Sequence, residues 1–169
     1  MDVHTQSFLN NHPCFNKGAS VNWGRVHLPV APNCNIQCNF CNRMYDCANE
    51  NRPGVTQKVY TPDEAVAYLE KLFEDRQDIS VIGIAGPGDP MCDADKTLPT
   101  FEKCRARFPH LMLCLSTNGL ALPEHVDDIV RIGVSHVTVT VNAVTPSVGG
   151  KVYAWVRYNG KTYTGEEGA

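Results

Sequence analysis

Two kinds of hydrophobic pattern alternate along the middle of the chain. Short runs that are mostly apolar or rich in β-branched residues predict four β-strands, at residues 25–30, 79–85, 111–115 and 136–141. Apolar residues at helical spacing predict three α-helices, one opening at Thr61 and two at residues 97–108 and 123–132. Strands that alternate with helices are joined by right-handed crossovers, so the pattern predicts an α/β fold with a parallel sheet.

The first predicted helix has the clearest start signal. Thr61 can cap its amino terminus, Pro62 suits the first helical position, and Glu64 stands three residues after the cap. The apolar face that follows consists of Val66, Leu69, Leu72 and Phe73. The corresponding face of the second helix consists of Phe101, Cys104 and Phe108. We expect both faces to pack against the sheet.

The end of the chain has a different pattern. Aromatic and β-branched residues flank Asn159 and Gly160, which predicts a β-hairpin over residues 153–163. No helix is evident between the fourth predicted strand and this hairpin. The fourth strand would then present Val137, Val139 and Val141 along an open apolar edge, which is an aggregation hazard.

The amino-acid composition excludes several classes of function. The 169 residues include 15 basic and 18 acidic side chains, which give a net charge of −3. This charge does not indicate the basic surface that nucleic-acid-binding proteins carry. No apolar stretch approaches the length of a membrane span, and no secretory signal is evident, so we expect no membrane partner. Eight cysteines in such a chain indicate metal ligands rather than disulfides, and we expect a cytoplasmic protein.

Three of these cysteines, Cys34, Cys38 and Cys41, follow the first predicted strand in one short segment, with Phe40 before the last. Thiolates are the usual protein ligands of a 4Fe–4S cluster, and three ligands leave one iron open to a substrate. This spacing resembles the signature of radical S-adenosylmethionine (SAM) enzymes. A zinc site with Cys47 as fourth ligand is the alternative, although zinc sites more often pair two Cys-x-x-Cys units.

Polar or glycine-rich segments follow the other predicted strands. Residues 86–90 read Gly-Pro-Gly-Asp-Pro, residues 116–119 read Ser-Thr-Asn-Gly, and Asn142 ends the fourth strand. In parallel α/β folds, ligands bind beyond the carboxyl ends of the strands. Each segment alone could be an ordinary turn, but together with the cysteines they predict a shared binding site.

Further motifs make the resemblance more specific. The chain is similar to the NifB family, radical SAM maturases of the nitrogenase cofactor, at residues 12–14, 30–34, 41–54, 86–90, 115–120, 137–143 and 151–156. The resemblance implies a parallel-sheet radical SAM partial (β/α)6 barrel, here with about four β/α units. It also implies a division into an arm with auxiliary-cluster ligands, residues 1–24, and a radical SAM core, residues 25–169.

The activity implied by this resemblance is a SAM-cleaving, lyase-type maturation. Family members fuse two auxiliary 4Fe–4S clusters into an eight-iron core, the nitrogenase cofactor precursor. One SAM donates a methyl carbon, a second yields the radical that removes hydrogen from it, and the carbon ends as a carbide. The implied partners are an iron–sulfur assembly scaffold and a cofactor carrier.

The resemblance also implies residue roles. Cys34, Cys38 and Cys41 would ligate the SAM-binding 4Fe–4S cluster. The residues implied at the SAM site are Phe40, Gly86, Pro87, Gly88, Asp89, Ser116, Asn118 and Asn142. No individual catalytic residue is implied.

Auxiliary-cluster ligands are implied at two groups of positions. The first group is Cys14 and Cys114, with His12 or His4 adding a nitrogen, and the second is Cys47 with Glu50 nearby. Taken without the resemblance, Cys114 in its apolar strand reads as a core residue. Cys104 is expected in the core, and no role is assigned to Cys92.

The chain also departs from the family pattern. It has about four predicted strands where the family has six, and it lacks a later Cys-x-x-Cys pair. We therefore expect an amino-terminal portion of the family protein, poorly soluble and inactive in carbide insertion by itself. The alternatives are a fragment that binds a 4Fe–4S cluster or zinc without turnover, and a radical SAM protein with another substrate.

Overall fold

Two β-sheets and four α-helices make up the computed structural model of the protein, which describes residues 10–49 and 58–169. The strands are β1 (Gly24–Ala31), β2 (Ile36–Cys38), β3 (Ile79–Pro87), β4 (Met112–Thr117), β5 (His136–Val139), β6 (Tyr153–Tyr158) and β7 (Lys161–Tyr163). The α-helices are α1 (Pro62–Asp75), α2 (Ala94–Arg107), α3 (Val126–Ile132) and α4 (Pro146–Val152).

The larger sheet has four parallel strands in the order β1-β3-β4-β5. These are the four strands that the hydrophobic runs predict, and the predicted α/β class with a parallel sheet is confirmed. Helices α1, α2 and α3 connect successive strands, and all three contribute to one core with β1, β3 and β4. The core therefore lies on the helix-covered face of the sheet.

Helix α1 begins as its sequence predicts. The Thr61 hydroxyl accepts a hydrogen bond from the Glu64 backbone N–H at 3.3 Å, and the Glu64 carboxylate accepts one from the Thr61 N–H at 2.9 Å. This reciprocal pair satisfies two backbone donors that a helix end leaves open. Leu69 is fully buried on the core side of the helix.

Helix α2 begins three residues before the predicted start. Ala94 and Thr97 are buried with Phe101 and Cys104, so the buried face includes small and hydroxyl residues that an apolar pattern does not mark. The predicted core position of Cys104 is confirmed, since this side chain has no exposed surface.

A row of side chains crosses the opposite face of the large sheet. Backbone register aligns His27 of β1 with Gly83 of β3, Gly83 with Cys114 of β4, and Cys114 with His136 of β5. Residues in register point to the same face of a sheet. Cys114 is therefore not a core residue, and it is only partly buried, whereas its neighbours Leu113 and Leu115 are fully buried.

The smaller sheet is antiparallel, in the order β2-β6-β7. The predicted hairpin is confirmed, with Asn159 and Gly160 at positive φ of 48° and 74° between β6 and β7. None of the four predicted strands includes the cysteine segment, but β2 lies within it. Its pairing partner β6 is remote in sequence, so no local pattern could indicate this strand.

Helix α4 corrects the prediction that no helix follows the fourth strand. Its sequence includes Gly149 and Gly150, which are poor helix formers. A Cβ atom on Gly149 would overlap that of Ala169, and one on Gly150 would lie 2.8 Å from the carbonyl carbon of Gly165. The two glycines therefore allow the 3₁₀ segment Gly165–Gly168 and the Ala169 that follows it to approach the helix closely.

Strand β5 forms one edge of the large sheet, and its valines are exposed. Val137 and Val139 keep 40% and 46% of their accessible surface, as the sequence predicts for an open edge. The strand ends at Val139, two residues before the predicted end, so Val141, which is 69% exposed, lies beyond it. Among the described helices, none combines the length and apolar character needed to cross a membrane.

Candidate functional site

The three signature cysteines line one pocket at the carboxyl ends of the parallel strands. Cys34 lies between β1 and β2, Cys38 ends β2, and Cys41 follows it. The residues predicted for the SAM site that also line this pocket are Phe40, Pro87, Gly88, Asp89, Ser116, Asn118 and Asn142. Gly86 is not among the lining residues, but it is joined to Pro87 by a cis peptide bond. The structure thus brings together the segments that follow β1, β3, β4 and β5.

The cysteine segment is held by the smaller sheet. Cys38 pairs with Tyr153 in the antiparallel register, and the Cys41 N–H donates to the Cys38 carbonyl at 3.0 Å. The Arg43 guanidinium donates to the Ile36 carbonyl at 2.8 Å and to the Gln37 side chain at 3.2 Å. These contacts fix the backbone that carries two of the three thiols.

The loop after β3 packs directly against the residue before Cys34. The Gly88 N–H donates to the Ala31 carbonyl at 2.6 Å, and the Asp89 N–H donates to the Asn33 carbonyl at 2.7 Å. A Cβ atom on Gly88 would overlap the Asn33 carbonyl oxygen. Only glycine allows the two segments to meet at this distance.

The buried carboxylate of Asp89 joins the loops after β3 and β4. It accepts hydrogen bonds from the Thr117 hydroxyl at 2.9 Å and from the Asn118 N–H at 2.6 Å. It also accepts from the backbone N–H groups of Met91 at 3.0 Å and Cys92 at 3.2 Å. Because these donors come from the protein itself, the carboxylate fixes the shape of the pocket wall.

Asn118 reaches the cysteine segment from the β4 side. Its side-chain amide donates to the Asn35 side-chain oxygen at 2.7 Å and lies 3.7 Å from the Cys34 sulfur. Asn142 enters the pocket beside Tyr153, whose hydroxyl accepts a hydrogen bond from the Asn142 N–H at 3.3 Å. Both asparagines therefore occupy positions suited to polar contacts with a ligand.

Sequence reasoning missed several residues of this pocket. The polar side chains that it did not assign are Arg43, Asn49, Thr117, Thr140 and Tyr153. Thr117 stands inside the polar turn after β4 and could have been included on that ground. Tyr153 enters only because β6 returns to pair with β2, which the sequence does not indicate.

Burial favours the protonated form of two of the signature thiols. It raises the pKa of Cys34 and that of Cys38 to about 11, and the nearby Arg43 charge offsets only part of this effect. Coordination requires thiolates, so binding of a metal cluster here must release protons.

The donor set fits a three-thiolate 4Fe–4S cluster. Three thiols share one pocket, and the pocket continues to the polar side chains after β4 and β5, where a ligand of an open iron could lie. In residues 10–49 and 58–169, no three His, Cys, Asp or Glu side chains are arranged to hold a single metal ion.

A second pocket adjoins the first on the same face of the sheet. Asn49, Ala85 and Ser116 line both pockets. The residues predicted for one auxiliary cluster that line the second pocket are His12, Cys14 and Cys114. Three residues from the arm and from β4 therefore meet as the resemblance implies.

Cys14 and His12 have close polar contacts in this pocket. The Arg25 guanidinium donates to the Cys14 sulfur at 2.6 Å, and the Cys14 N–H donates to His12 Nδ1 at 3.2 Å. Burial, followed by the charges of His136, Arg25 and His27, lowers the pKa of His12 to about 4. The ring is thus neutral at pH 7, and this hydrogen bond places its proton on Nε2.

The Nε2 atom of His12 is buried and has no hydrogen-bond partner within the described residues. His12 packs against Phe15 and His136, with ring centroids 4.6 Å and 4.4 Å away. Ligation through Nε2 would require its proton to leave or to move to Nδ1.

The second predicted auxiliary-ligand group is not placed in this pocket. Cys47 lines the first pocket with the signature cysteines. Glu50 and His4 lie outside the described residues. Cys92, which has no predicted role, is partly buried after the loop that follows β3.

Comparison with known proteins identifies the family. The Radical SAM superfamily model matches residues 28–165. The FeMo cofactor biosynthesis protein NifB of Chlorobaculum tepidum is 48% identical over 161 residues, which are 95% of this chain and 38% of that protein. The NifB proteins of Sinorhizobium fredii and Rhodobacter capsulatus are 50% and 48% identical over 169 and 167 residues, or 34% and 37% of their lengths.

The predicted resemblance to NifB is confirmed by these matches, and the four-stranded parallel sheet is consistent with a partial barrel. The chain spans about a third of the length of the curated relatives that it matches. The matched superfamily implies a 4Fe–4S cluster and SAM as cofactors. Because the family model covers residues 28–165, the chain belongs to the radical SAM superfamily.

Proposed function

We propose that this chain binds a 4Fe–4S cluster through Cys34, Cys38 and Cys41 and binds SAM beside it, as part of FeMo cofactor biosynthesis. One observation carries the proposal: the three thiols line a single pocket with the segments that follow β3, β4 and β5. That edge of a parallel sheet is where such folds bind ligands. The similarity to NifB proteins supports the cofactor pathway.

The residues around the thiols would bind and orient SAM. When bound, the cluster supplies the electron that cleaves the SAM sulfonium. Pro87 and Gly88 offer closely packed backbone on one side of the pocket, and Ser116 and Asn142 offer polar groups on the other. Phe40, half exposed at the rim, would limit the access of water.

The second pocket is where a substrate of the proposed reaction would bind. We infer that it receives one of two 4Fe–4S substrate clusters, held by Cys14 and Cys114 with His12 nearby. Its shared wall with the first pocket, at Asn49, Ala85 and Ser116, would keep that substrate next to SAM. The reaction is then a lyase-type fusion of two clusters into an eight-iron core with a carbide derived from SAM.

This function also requires partners and a reducing compartment. We propose that residues 1–24 form the arm that delivers Cys14 to residues 25–169, the radical SAM core. A scaffold would supply the substrate clusters, and a carrier would accept the product. A cytoplasmic location would keep the eight cysteines reduced.

A second candidate is metal binding without turnover. Cys47 lines the first pocket with the three signature cysteines, and four thiols are a common ligand set for structural zinc. Zinc binding would require these thiols to move closer together, since they are not arranged around a single ion in the described residues. In that case the chain would hold zinc, or a cluster without an open iron, and would not cleave SAM.

One experiment separates these functions. The chain is reconstituted anaerobically with iron and sulfide, its iron and zinc are counted, and its dithionite-reduced electron paramagnetic resonance (EPR) spectrum is recorded with and without SAM. The proposed function predicts a 4Fe–4S signal that changes when SAM is added. Bound zinc without iron, or a signal indifferent to SAM, would instead support the second candidate.

A further inference from the structure

Cys34 stands between two asparagines, and each of them is held by a side chain from a different part of the fold. Asn33, before it, contacts Asp93, at the start of α2. Asn35, after it, accepts a hydrogen bond from Asn118, which follows β4. The backbone on both sides of one signature thiol is therefore fixed by polar contacts.

The contact before Cys34 has two hydrogen bonds to one carboxylate. Asp93 Oδ2 accepts from the Asn33 backbone N–H at 2.7 Å, and Oδ1 accepts from the Asn33 side-chain amide at 2.7 Å. Asp93 is only 4% exposed, whereas Asn33 is exposed. A buried carboxylate that accepts two N–H groups makes a strong and directional contact.

The contact after Cys34 depends on Asp89, which lies in the same turn of the chain as Asp93. Asp89, four residues before Asp93, accepts the Asn118 N–H, and the Asn118 side chain then reaches Asn35. Two buried carboxylates of one turn thus act on the two neighbours of Cys34. Asp93 reaches Cys34 through Asn33, which makes its effect the easier one to test. Its Oδ1 also lies 3.7 Å from Lys96 Nζ.

We propose that Asp93 is a positioning residue that acts through Asn33 to hold Cys34 in the orientation required for cluster binding. This inference rests on the proposed function, in which Cys34 is a cluster ligand. The two hydrogen bonds order the backbone before the cluster is bound, so that less conformational entropy is lost on binding. Residues that orient the ligands of a metal in this way commonly decide its affinity.

The donor and acceptor pattern allows a reciprocal test. Asn33→Asp places a second carboxylate against Asp93, so the side-chain hydrogen bond is replaced by repulsion. In Asp93→Asn, a single amide oxygen replaces the two carboxylate oxygens, so one of the two Asn33 donors loses its acceptor and faces the new NH2 group. The double variant Asn33→Asp/Asp93→Asn restores one donor and one acceptor in exchanged positions, while the new amide oxygen at position 93 can still accept the backbone N–H of residue 33.

Two measurements are made on each of these variants. The first is the rate at which the reconstituted cluster loses iron to a chelator, together with the EPR spectrum with and without SAM. The second is amide hydrogen exchange of the cysteine segment in the metal-free chain, which reports its order without any cluster. Asn42→Asp is the matched control, because it adds a carboxylate to the same segment and keeps the acceptor for the Met44 N–H.

We expect Asn33→Asp to speed both iron loss and exchange at residues 33–35 by about tenfold, the range in which such supporting residues act. Asp93→Asn should also speed both rates, by about fivefold, because one of the two Asn33 donors loses its acceptor. The double variant restores both hydrogen bonds, so its rates should return toward those of the unmodified chain, with a similar SAM-dependent spectrum.

The inference is overturned if Asn33→Asp behaves like Asn42→Asp, or if the double variant is no better than Asn33→Asp alone. It is also overturned if exchange accelerates while iron loss does not, because the contact would then order the segment without affecting the cluster. Failure of the unmodified chain to take up a 4Fe–4S cluster contradicts the proposed function instead. Hydrogen exchange still decides in that case whether Asp93 orders the backbone around Cys34.

Discussion

Cys38 offers a direct residue-level test of the first pocket. It ends β2 opposite Tyr153 and lies with Cys34 and Cys41 around the same space. Cys38→Ala removes one of three thiolates, so we expect SAM cleavage to fall by at least about a hundredfold, the upper range for loss of support at a metal site. The yield of 5′-deoxyadenosine after reduction with dithionite measures this.

Cys92→Ala is the control for that change, because Cys92 is also a partly buried thiol near the pocket but lies outside the signature. It should keep its iron content and its 5′-deoxyadenosine yield. An undiminished yield in Cys38→Ala would remove Cys38 from the ligand set.

Cys114 tests the second pocket in the same way. It lies in the cross-sheet row with Gly83 and His136 and shares the pocket with Cys14. Cys114→Ala should leave the SAM-responsive EPR signal in place and lower the iron count by the amount of one substrate cluster. Iron analysis after reconstitution, with the spectrum recorded on the same sample, separates the two effects.

Cys104→Ala is the matched control because this cysteine is fully buried in the core among the helices. It should lower the free energy of unfolding by about 1 kcal/mol, since only one buried sulfur is removed, and leave the iron count unchanged. If both variants bind the same iron as the unmodified chain, Cys114 has no ligand role.

At the scale of an element, the amino terminus of α1 makes part of the stability depend on pH. The hydrogen bond from Lys58, followed by those from Thr61, lowers the pKa of Glu64 from 4.5 to about 2. An acid whose pKa is lower in the folded state stabilises the fold above its unfolded pKa, and this contribution is lost as pH falls through the folded value.

We therefore expect the difference in free energy of unfolding between the unmodified chain and Glu64→Gln to be constant above about pH 5 and to shrink toward pH 2. Urea unfolding followed by circular dichroism at several pH values measures it. Lys58→Met should raise the pH at which this difference is lost, because it removes the hydrogen bond that contributes most to lowering the pKa of Glu64. A difference that does not change with pH would contradict the role of the Glu64 charge.

For the whole molecule, we expect the edge strand β5 to promote association. Its exposed valines lie along a strand that pairs on one side only within residues 10–49 and 58–169, and such edges template pairing with other chains. Val137→Lys places a charge on that edge and should increase the soluble monomeric fraction severalfold, on the order of the protection that edge lysines give natural sheets. Size-exclusion chromatography with light scattering measures the fraction.

Val144→Lys is the control, since Val144 is 92% exposed but lies outside the strands. It adds the same charge without interrupting the edge. Equal gains from both variants would mean that net charge, and not the open edge, limits solubility.

Features that depend on near neighbours in the chain could be predicted without a structure. The four parallel strands and helices α1 to α3 follow from hydrophobic period, because the spacing of apolar residues decides which face can be buried. The Asn159–Gly160 turn follows from residues that tolerate positive φ, and the capping box follows from side chains three residues apart. The spacing of Cys34, Cys38 and Cys41 is likewise local, so the superfamily was evident without a structure.

Tertiary structure alone decided the features that depend on contacts between distant parts of the chain. Strand β2 exists because β6 returns to pair with it, and the glycines of α4 are explained only by the 3₁₀ segment packed on them. The same is true of the site: Tyr153 enters the pocket with β6, Asp93 holds Asn33 across the sheet edge, and register turns Cys114 away from the core. Each of these outcomes is set by pairing and packing over long sequence separations, which hydrophobic period and residue spacing do not encode.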